Sequence, residues 1–249
     1  MNLQLDQIKI RNGTGVVVRD DLLRGGTKER AIIPFVEKLK ERGYTHFVYA
    51  SPFSGFAQIA LASTIEKTGI ACTIFAETMA DSELHEFSLR AEAFGAKIVS
   101  CANLDQAETS SAEFASRSAS TYKIPLGFNE PRYRACLKAE IEKLWPELHS
   151  PSRLWLPVGS GTLVNVFREV APPETQIHCV DVHVLGDQDS RIRGVLALPN
   201  TSYYSARQAF HDECEAQCPV PSNAYYDRKV FEVFSREGRD GDVWWNVAH

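Results

Sequence analysis

From residue 28 onward, segments with apolar residues every three or four positions alternate with short, nearly uninterrupted apolar runs. The first pattern predicts amphipathic helices, the second buried strands. Residues 29–43 (ERAIIPFVEKLKERG) read as a helix ending at Gly43, and 45–50 (THFVYA) as a buried strand. Residues 56–69 predict a helix with Gly69 where a C-terminal cap belongs. Strand 70–76, helix 81–95 and strand 96–101 follow, then a Ser/Ala-rich, helix-compatible stretch over 103–120. A helix over 132–148 leads into the apolar strand 153–158, a Gly-rich turn that opens a further helix, strand 176–182 and a terminal strand 242–247. Such alternation argues for parallel βαβ units, so the expected fold is α/β, a doubly wound and mostly parallel sheet. No repeat, low-complexity tract or linker divides the chain. One compact α/β unit over 1–249 is expected, with any small second domain interleaved within 44–125.

Composition narrows the class without changing that picture. At 249 residues and 44% hydrophobic, the chain can bury a sizeable core without disulfide or metal staples. Its 27 Lys+Arg against 32 Asp+Glu give a net charge of −5, so no global positive field points to nucleic acid or an acidic membrane. No run approaches the roughly 20 apolar residues of a membrane helix. The opening MNLQLDQIKIRNG lacks the apolar core of a secretory signal, so a cytoplasmic location is expected, with its six cysteines reduced. The half-motif His211, Cys214, Cys218 has no second half at zinc-like spacing, and no metal is expected.

Four segments could carry chemistry. In the first, Arg19-Asp20-Asp21-Leu22 precedes Gly25-Gly26-Thr27-Lys28. With Thr27 as N-cap, Lys28 falls in a helix's first turn, where the dipole disfavours an ammonium and favours the free amine that a Schiff-base lysine needs. A surface lysine after a loop is the plainer alternative. In the second, Ser54 and Gly55 lie in a small-residue turn between a strand and a helix, where backbone N–H groups meet anions. In the third, Gly159-Ser160-Gly161-Thr162 joins an apolar strand to a helix and makes a phosphate cradle that is neither a P-loop nor GxGxxG. In the fourth, Asn223, Tyr225, Tyr226, Asp227 and Lys229 open the last helical stretch, where an acidic residue is also routine on a solvated helix start.

The order of these segments resembles the fold-type II pyridoxal-phosphate (PLP) enzymes, the tryptophan synthase β-like group. The nearest branch is the aminocyclopropane-carboxylate deaminase and D-cysteine desulfhydrase group. That family's Lys-Arg-Asp-Asp-Leu and Gly-Gly-Asn-Lys stand here as Val18–Leu22 and Gly26-Thr27-Lys28. Its Ser-Gly-Asn-His turn is similar to Ser54-Gly55-Phe56-Ala57, continued by Gln58–Ala62, and its Ile-Pro-Glu-Gly to Ile124–Gly127. Its Tyr-Glu/Thr-Gly-Lys segment and terminal apolar strand resemble Tyr226–Lys229 and Val243–Trp245. The resemblance spans residues 16–249.

The resemblance implies that Lys28 holds PLP as a Schiff base and that Gly159, Ser160, Gly161 and Thr162 hold its phosphate. It implies further that Asp227 faces the pyridine nitrogen, that Ser54 and Gly55 lie by the substrate carboxylate or the ring, and that Lys28, Tyr225 or Tyr226 moves the proton. Phe56 departs from the asparagine that contacts the ring hydroxyl. The short chain implies a reduced small domain and resembles compact PLP proteins encoded by bacteriophages that hypermodify thymidine. There, an amino acid joined to the base is decarboxylated. The activity so implied is a PLP-dependent lyase decarboxylating an α-amino-acid unit carried on modified thymidine in DNA, with a homodimer as its assembly. Arg132, Arg134, Lys138, Arg191 and Arg193 are the residues that could meet a DNA backbone, or simply a solvated surface. The alternatives are a deaminase or desulfhydrase of a small free amino acid, and a non-catalytic ligand-binding protein on a Rossmann-like sheet.

Overall fold

The computed structural model describes residues 2–79, 84–186 and 188–249. The strands are β1 (Leu5–Ile10), β2 (Gly13–Arg19), β3 (His46–Ser51), β4 (Ala71–Glu77), β5 (Lys97–Cys101), β6 (Thr121–Ile124), β7 (Arg153–Val158), β8 (Gln176–Asp181), β9 (Thr201–Ser205) and β10 (Val243–Asn246). The helices are α1 (Glu29–Lys40), α2 (Ala57–Ala62), α3 (Ile65–Thr68), α4 (Glu86–Ala93), α5 (Leu104–Ser116), α6 (Pro131–Leu144), α7 (Thr162–Val170), α8 (Ser190–Leu196) and α9 (Asp227–Glu237). The first residues of the helix expected over 81–95 (81–83) lie outside the described residues. The chain forms two compact units, one from residues 1–27 and 137–249, the other from 28–136.

Among the described residues, the first unit holds a six-stranded sheet in the order β1-β2-β10-β7-β8-β9. Only the β1–β2 pair is antiparallel; the remaining pairs are parallel. The last strand of the chain therefore lies inside the sheet, between the second and the seventh. Neighbouring residues of a strand face opposite sides. Trp244 packs against Phe231 and Phe234 of α9, at ring centroid distances of 5.6 and 6.1 Å, while Trp245 meets Phe167 of α7 at 4.7 Å. Both tryptophans are fully buried, as is Trp155. With helices on both faces the sheet is doubly wound, as the alternating pattern predicts.

The second unit holds the parallel sheet β5-β4-β3-β6. Val48 and Ala50 face α5, in a cluster with Phe75, Cys101, Ala107 and Phe114. Phe47 and Tyr49 belong to an aromatic cluster on the other side, with Phe35, Tyr122, Phe128 and Tyr133.

Two differences from the sequence reading have local causes. The helix expected over 56–69 is two short helices. At the break the Ser63 and Thr64 hydroxyls donate to the carbonyls of Ala60 and Leu61, competing with the helical ladder. Gly69 nevertheless caps the second at φ +64°. The β1–β2 hairpin is absent from the sequence reading, although Asn12-Gly13 between alternating apolar positions is a hairpin signal.

Candidate functional site

The first unit brings two of the candidate segments to the end of β10. Gly26 has φ +60°, and a Cβ there would stand 2.3 Å from the Val247 carbonyl oxygen, so only glycine lets the 25–27 turn approach the strand end. The Thr27 N–H then donates to that carbonyl at 2.9 Å. The Trp245 indole N–H is shared between Asp20 Oδ2 and Thr27 Oγ1, each at 2.9 Å. Arg19 grips Asp21 with Nε and Nη2, at 2.9 and 2.8 Å, and also pairs with Asp6. These bonds raise its guanidinium pKa above the ordinary arginine value, the Asp21 hydrogen bond contributing most. The Arg-Asp-Asp motif is thus a buried clamp that fixes the turn leading to Lys28.

The fourth segment arrives at the same place from the other end of the chain. Asp227, fully buried at the start of α9, accepts from the backbone N–H groups of Val247 (2.7 Å) and Ala248 (3.1 Å). Asn223 donates its N–H to the Ala248 carbonyl, and its Oδ1 accepts from Tyr225 N. The Gly25–Thr27 turn and Asp227, some 200 positions apart in sequence, are therefore held by successive residues of one strand end.

The third segment follows β7. Gly161 has φ +76°, and a Cβ there would meet Val195 at 2.8 Å. Asn165, one turn into α7, donates from Nδ2 to the Gly161 carbonyl at 2.8 Å, and Ser160 and Thr162 share a hydroxyl hydrogen bond of 3.0 Å. A Cβ at Gly159 would come within 3.1 Å of Val184 and 3.9 Å of the Tyr226 ring. Tyr226 therefore borders this loop. The Tyr225 hydroxyl donates to Glu213 at 2.9 Å.

Lys28 is the first residue of the second unit. The expectation that Thr27 caps the helix needs correction. The Thr27 hydroxyl accepts from Trp245, and Lys28, itself helical, ends a 3-10 turn and stands as the residue before α1. In the same unit, Ser54 is fully buried and its Oγ has no hydrogen-bond partner. A Cβ at Gly55 would strike Ser51 Oγ at 2.6 Å. Phe56 packs on Phe87 at 5.3 Å, with the Arg90 guanidinium 5.6 Å from its centroid. Gln58 is fully buried, accepts from Ser88 Oγ at 3.0 Å and leaves its Nε2 unpartnered.

Other candidates do not assemble. Cys214 lies by Gln208 and Glu232, Cys218 by Ser222, and no group of three metal-ligating side chains occurs among the described residues. All six cysteines are free thiols. Arg132 pairs with Glu130, Lys138 with Glu169 and Arg191 with Asp189, while Arg193 donates to Gln188. Asn165, Gln58 and Trp245 make the contacts described above beside the candidate segments without being named there as candidates; for Asn165, its position four residues after Gly161 is the available signal. No helix among the described residues is long and apolar enough to cross a membrane.

No family model matches the chain, and no curated protein matches it in sequence. Solved structures do. A homologue of ACC deaminase is similar with a TM-score of 0.72 at 14% identity, over 100% of this chain and 89% of its own. A hydrogen sulfide-producing enzyme from Fusobacterium nucleatum gives 0.69 at 15% identity, over 99% and 93%. Diaminopropionate ammonia lyase from Escherichia coli gives 0.66 at 13%, over 95% and 79%. At such identities the likeness speaks of architecture alone: the chain has the mixed α/β, mostly parallel fold of the fold-type II PLP enzymes.

Proposed function

We propose that the protein is a PLP-dependent lyase acting on an α-amino-acid substrate. The observation that carries this reading is the convergence of the Gly25–Thr27 turn and Asp227 on residues 245–248, in the same unit as the Tyr226-bordered Gly159–Thr162 loop. The residues of each unit fit the cofactor: Ser54 Oγ and Gln58 Nε2 in the second unit, and Asn223 Nδ2 in the first, are buried polar atoms without a partner.

When bound, PLP supplies an electron sink for the pair released on breaking a bond at the substrate's Cα. Gly159, Ser160, Gly161 and Thr162 bind the phosphate through backbone N–H groups and the two hydroxyls at the start of α7. Asp227 would hold the proton on the pyridine nitrogen, its carboxylate oriented by the Val247 and Ala248 N–H groups. Lys28 would hold the cofactor and move the proton at the substrate's Cα. Tyr226 is the second candidate for that proton, since the Tyr225 hydroxyl is already committed to Glu213. Ser54 and Gly55 orient the substrate carboxylate.

The similar structures named for ammonia- and sulfide-releasing activities support elimination from a small free amino acid. Decarboxylation of a unit borne on modified thymidine rests on the motif resemblance, and the local pairing of Arg132, Lys138 and Arg191 lends it nothing. Assaying CO₂ against ammonia and sulfide separates the two reactions. The test of the class itself is the visible spectrum of purified protein with PLP added and then removed by desalting. A retained violet-edge band in wild type, lost in Lys28→Ala, is expected; no band in wild type would overturn the reading and leave a ligand-binding protein on this fold.

A further inference from the structure

One residue of the Tyr226–Lys229 segment has no part in the chemistry above. Lys229 is fully buried on α9, although burying an ammonium without a partner is costly. No carboxylate lies within ion-pair distance of it among the described residues. Its Nζ instead donates to two backbone carbonyls, Ala209 at 2.6 Å and Phe210 at 3.4 Å. Both belong to 206–226, a long stretch with no helix or strand of its own. Irregular segments of that length in compact units are commonly functional.

Phe210 leads back to the phosphate loop. Its ring packs edge-on against Tyr226 at a centroid distance of 5.5 Å, and Tyr226 borders Gly159. The segment is tied down elsewhere by Cys214 N to the Ala224 carbonyl, Tyr225 to Glu213, Asn223 to Ala248, Ala206 N to the Asp181 carbonyl, and Gln208 and Arg207 to Glu232 of α9. Lys229 holds the main-chain carbonyls of residues 209 and 210 themselves, the ones that carry Phe210.

We propose that Lys229 is a positioning residue: its buried side chain clamps residues 209–210 to α9 so that Phe210 sets Tyr226 against the Gly159–Thr162 loop. The inference rests on that loop being the phosphate site. The titratable groups facing Nζ are Asp212 and Cys214. Glu232, on the same helix, is engaged by Gln208, Cys214 and Arg207. Burial outweighs the two raising neighbours and brings the Lys229 pKa down to about 8. Hydrogen bonds from a charged donor exceed those from its neutral form, so the clamp weakens as the amine loses its proton.

The test uses the whole protein, wild type and Lys229→Met, which keeps the aliphatic stem. Hydrogen-exchange protection factors over 207–226 and the dissociation constant for PLP are measured from pH 6.5 to 9.5. Loss of charge-assisted bonds to two carbonyls is expected to lower protection by roughly 10–100-fold in the variant and weaken PLP binding about tenfold. In wild type protection should decline above pH 8 and in Lys229→Met it should be flat across that range, while PLP affinity is compared between the two proteins at each pH, the gap closing as pH rises above 8. Unchanged protection in the variant, or lost protection with unchanged PLP affinity, would overturn the inference. Should Lys229→Met fail to fold, the wild-type pH series decides alone: protection that holds through pH 9.5 refutes the clamp. If wild type binds no PLP, the lyase reading fails, while the protection factors still decide the clamp.

Discussion

Gly26 and Gly69 offer a matched pair for measuring what the strand-end junction is worth. Both have nearly the same left-handed backbone, φ +60° and +64°, but a Cβ at Gly69 meets nothing within 4 Å, whereas one at Gly26 stands 2.3 Å from the Val247 carbonyl. Gly69→Ala therefore measures backbone strain alone, about 1 kcal/mol. Gly26→Ala carries the same strain, and the strand end must also move away. That movement breaks the Thr27 N–H bond to Val247 and disturbs the Val247 and Ala248 N–H bonds to the buried Asp227 carboxylate. With bonds to a charged acceptor at roughly 1.5–3 kcal/mol each, the total loss is about 3–5 kcal/mol. At 2–4 °C per kcal/mol for a chain of this size, Tm should fall by about 10 °C, against about 3 °C for Gly69→Ala. Urea unfolding followed by far-ultraviolet circular dichroism supplies the stabilities, and the PLP band shows whether the site survives. The Gly69 variant is expected to retain PLP and the Gly26 variant to lose it. Equal destabilisation by the two substitutions would refute the argument that the turn and Asp227 share one support.

Two further outcomes follow from buried polar groups. His178 accepts from Arg153 Nε at 2.8 Å, which fixes its other nitrogen as the donor to Tyr204, and burial, with the Arg153 charge, depresses its pKa from 6.5 to about 3. A folded pKa below the unfolded one means the contribution is complete above pH 6.5 and lost as pH falls toward 3, about 3 kcal/mol by pH 4; His178→Gln should flatten that part of the stability–pH curve, and parallel curves would count against it. Trp245→Phe removes the donor shared by Asp20 and Thr27 and leaves both buried acceptors short of a partner; a loss of about 1–3 kcal/mol in urea unfolding is expected, and none would show that water replaces the indole.

Much of the architecture was legible in the chain because its signals are local. Apolar periodicity located α1, β3, β4, β5, β7 and β8 to within a few residues, and strand–helix alternation gave the parallel, doubly wound class. Gly69 and Gly161 announced turns that the structure places at φ +64° and +76°. Motif order was enough to single out Lys28, Gly159–Thr162 and Asp227.

Pairing across the chain was not legible in that way. Periodicity says that 242–247 is an apolar strand, but not that it inserts between β2 and β7, because strand order depends on which faces bury each other. That insertion decides why Gly26 must be glycine, what the Arg-Asp-Asp motif grips and which amides hold Asp227. Phe56 stands in the sequence where the family has an asparagine; only the folded chain brings it against the ring of Phe87 and the guanidinium of Arg90. Lys229 stands in the sequence as the last residue of the fourth segment, and only the fold shows it buried with its amine on the carbonyls of 209 and 210. The sequence determines which residues can turn, cap, accept or donate, since those are properties of single side chains. Which of them meet is a property of the folded sheet, where contacts between positions two hundred residues apart are set by burial.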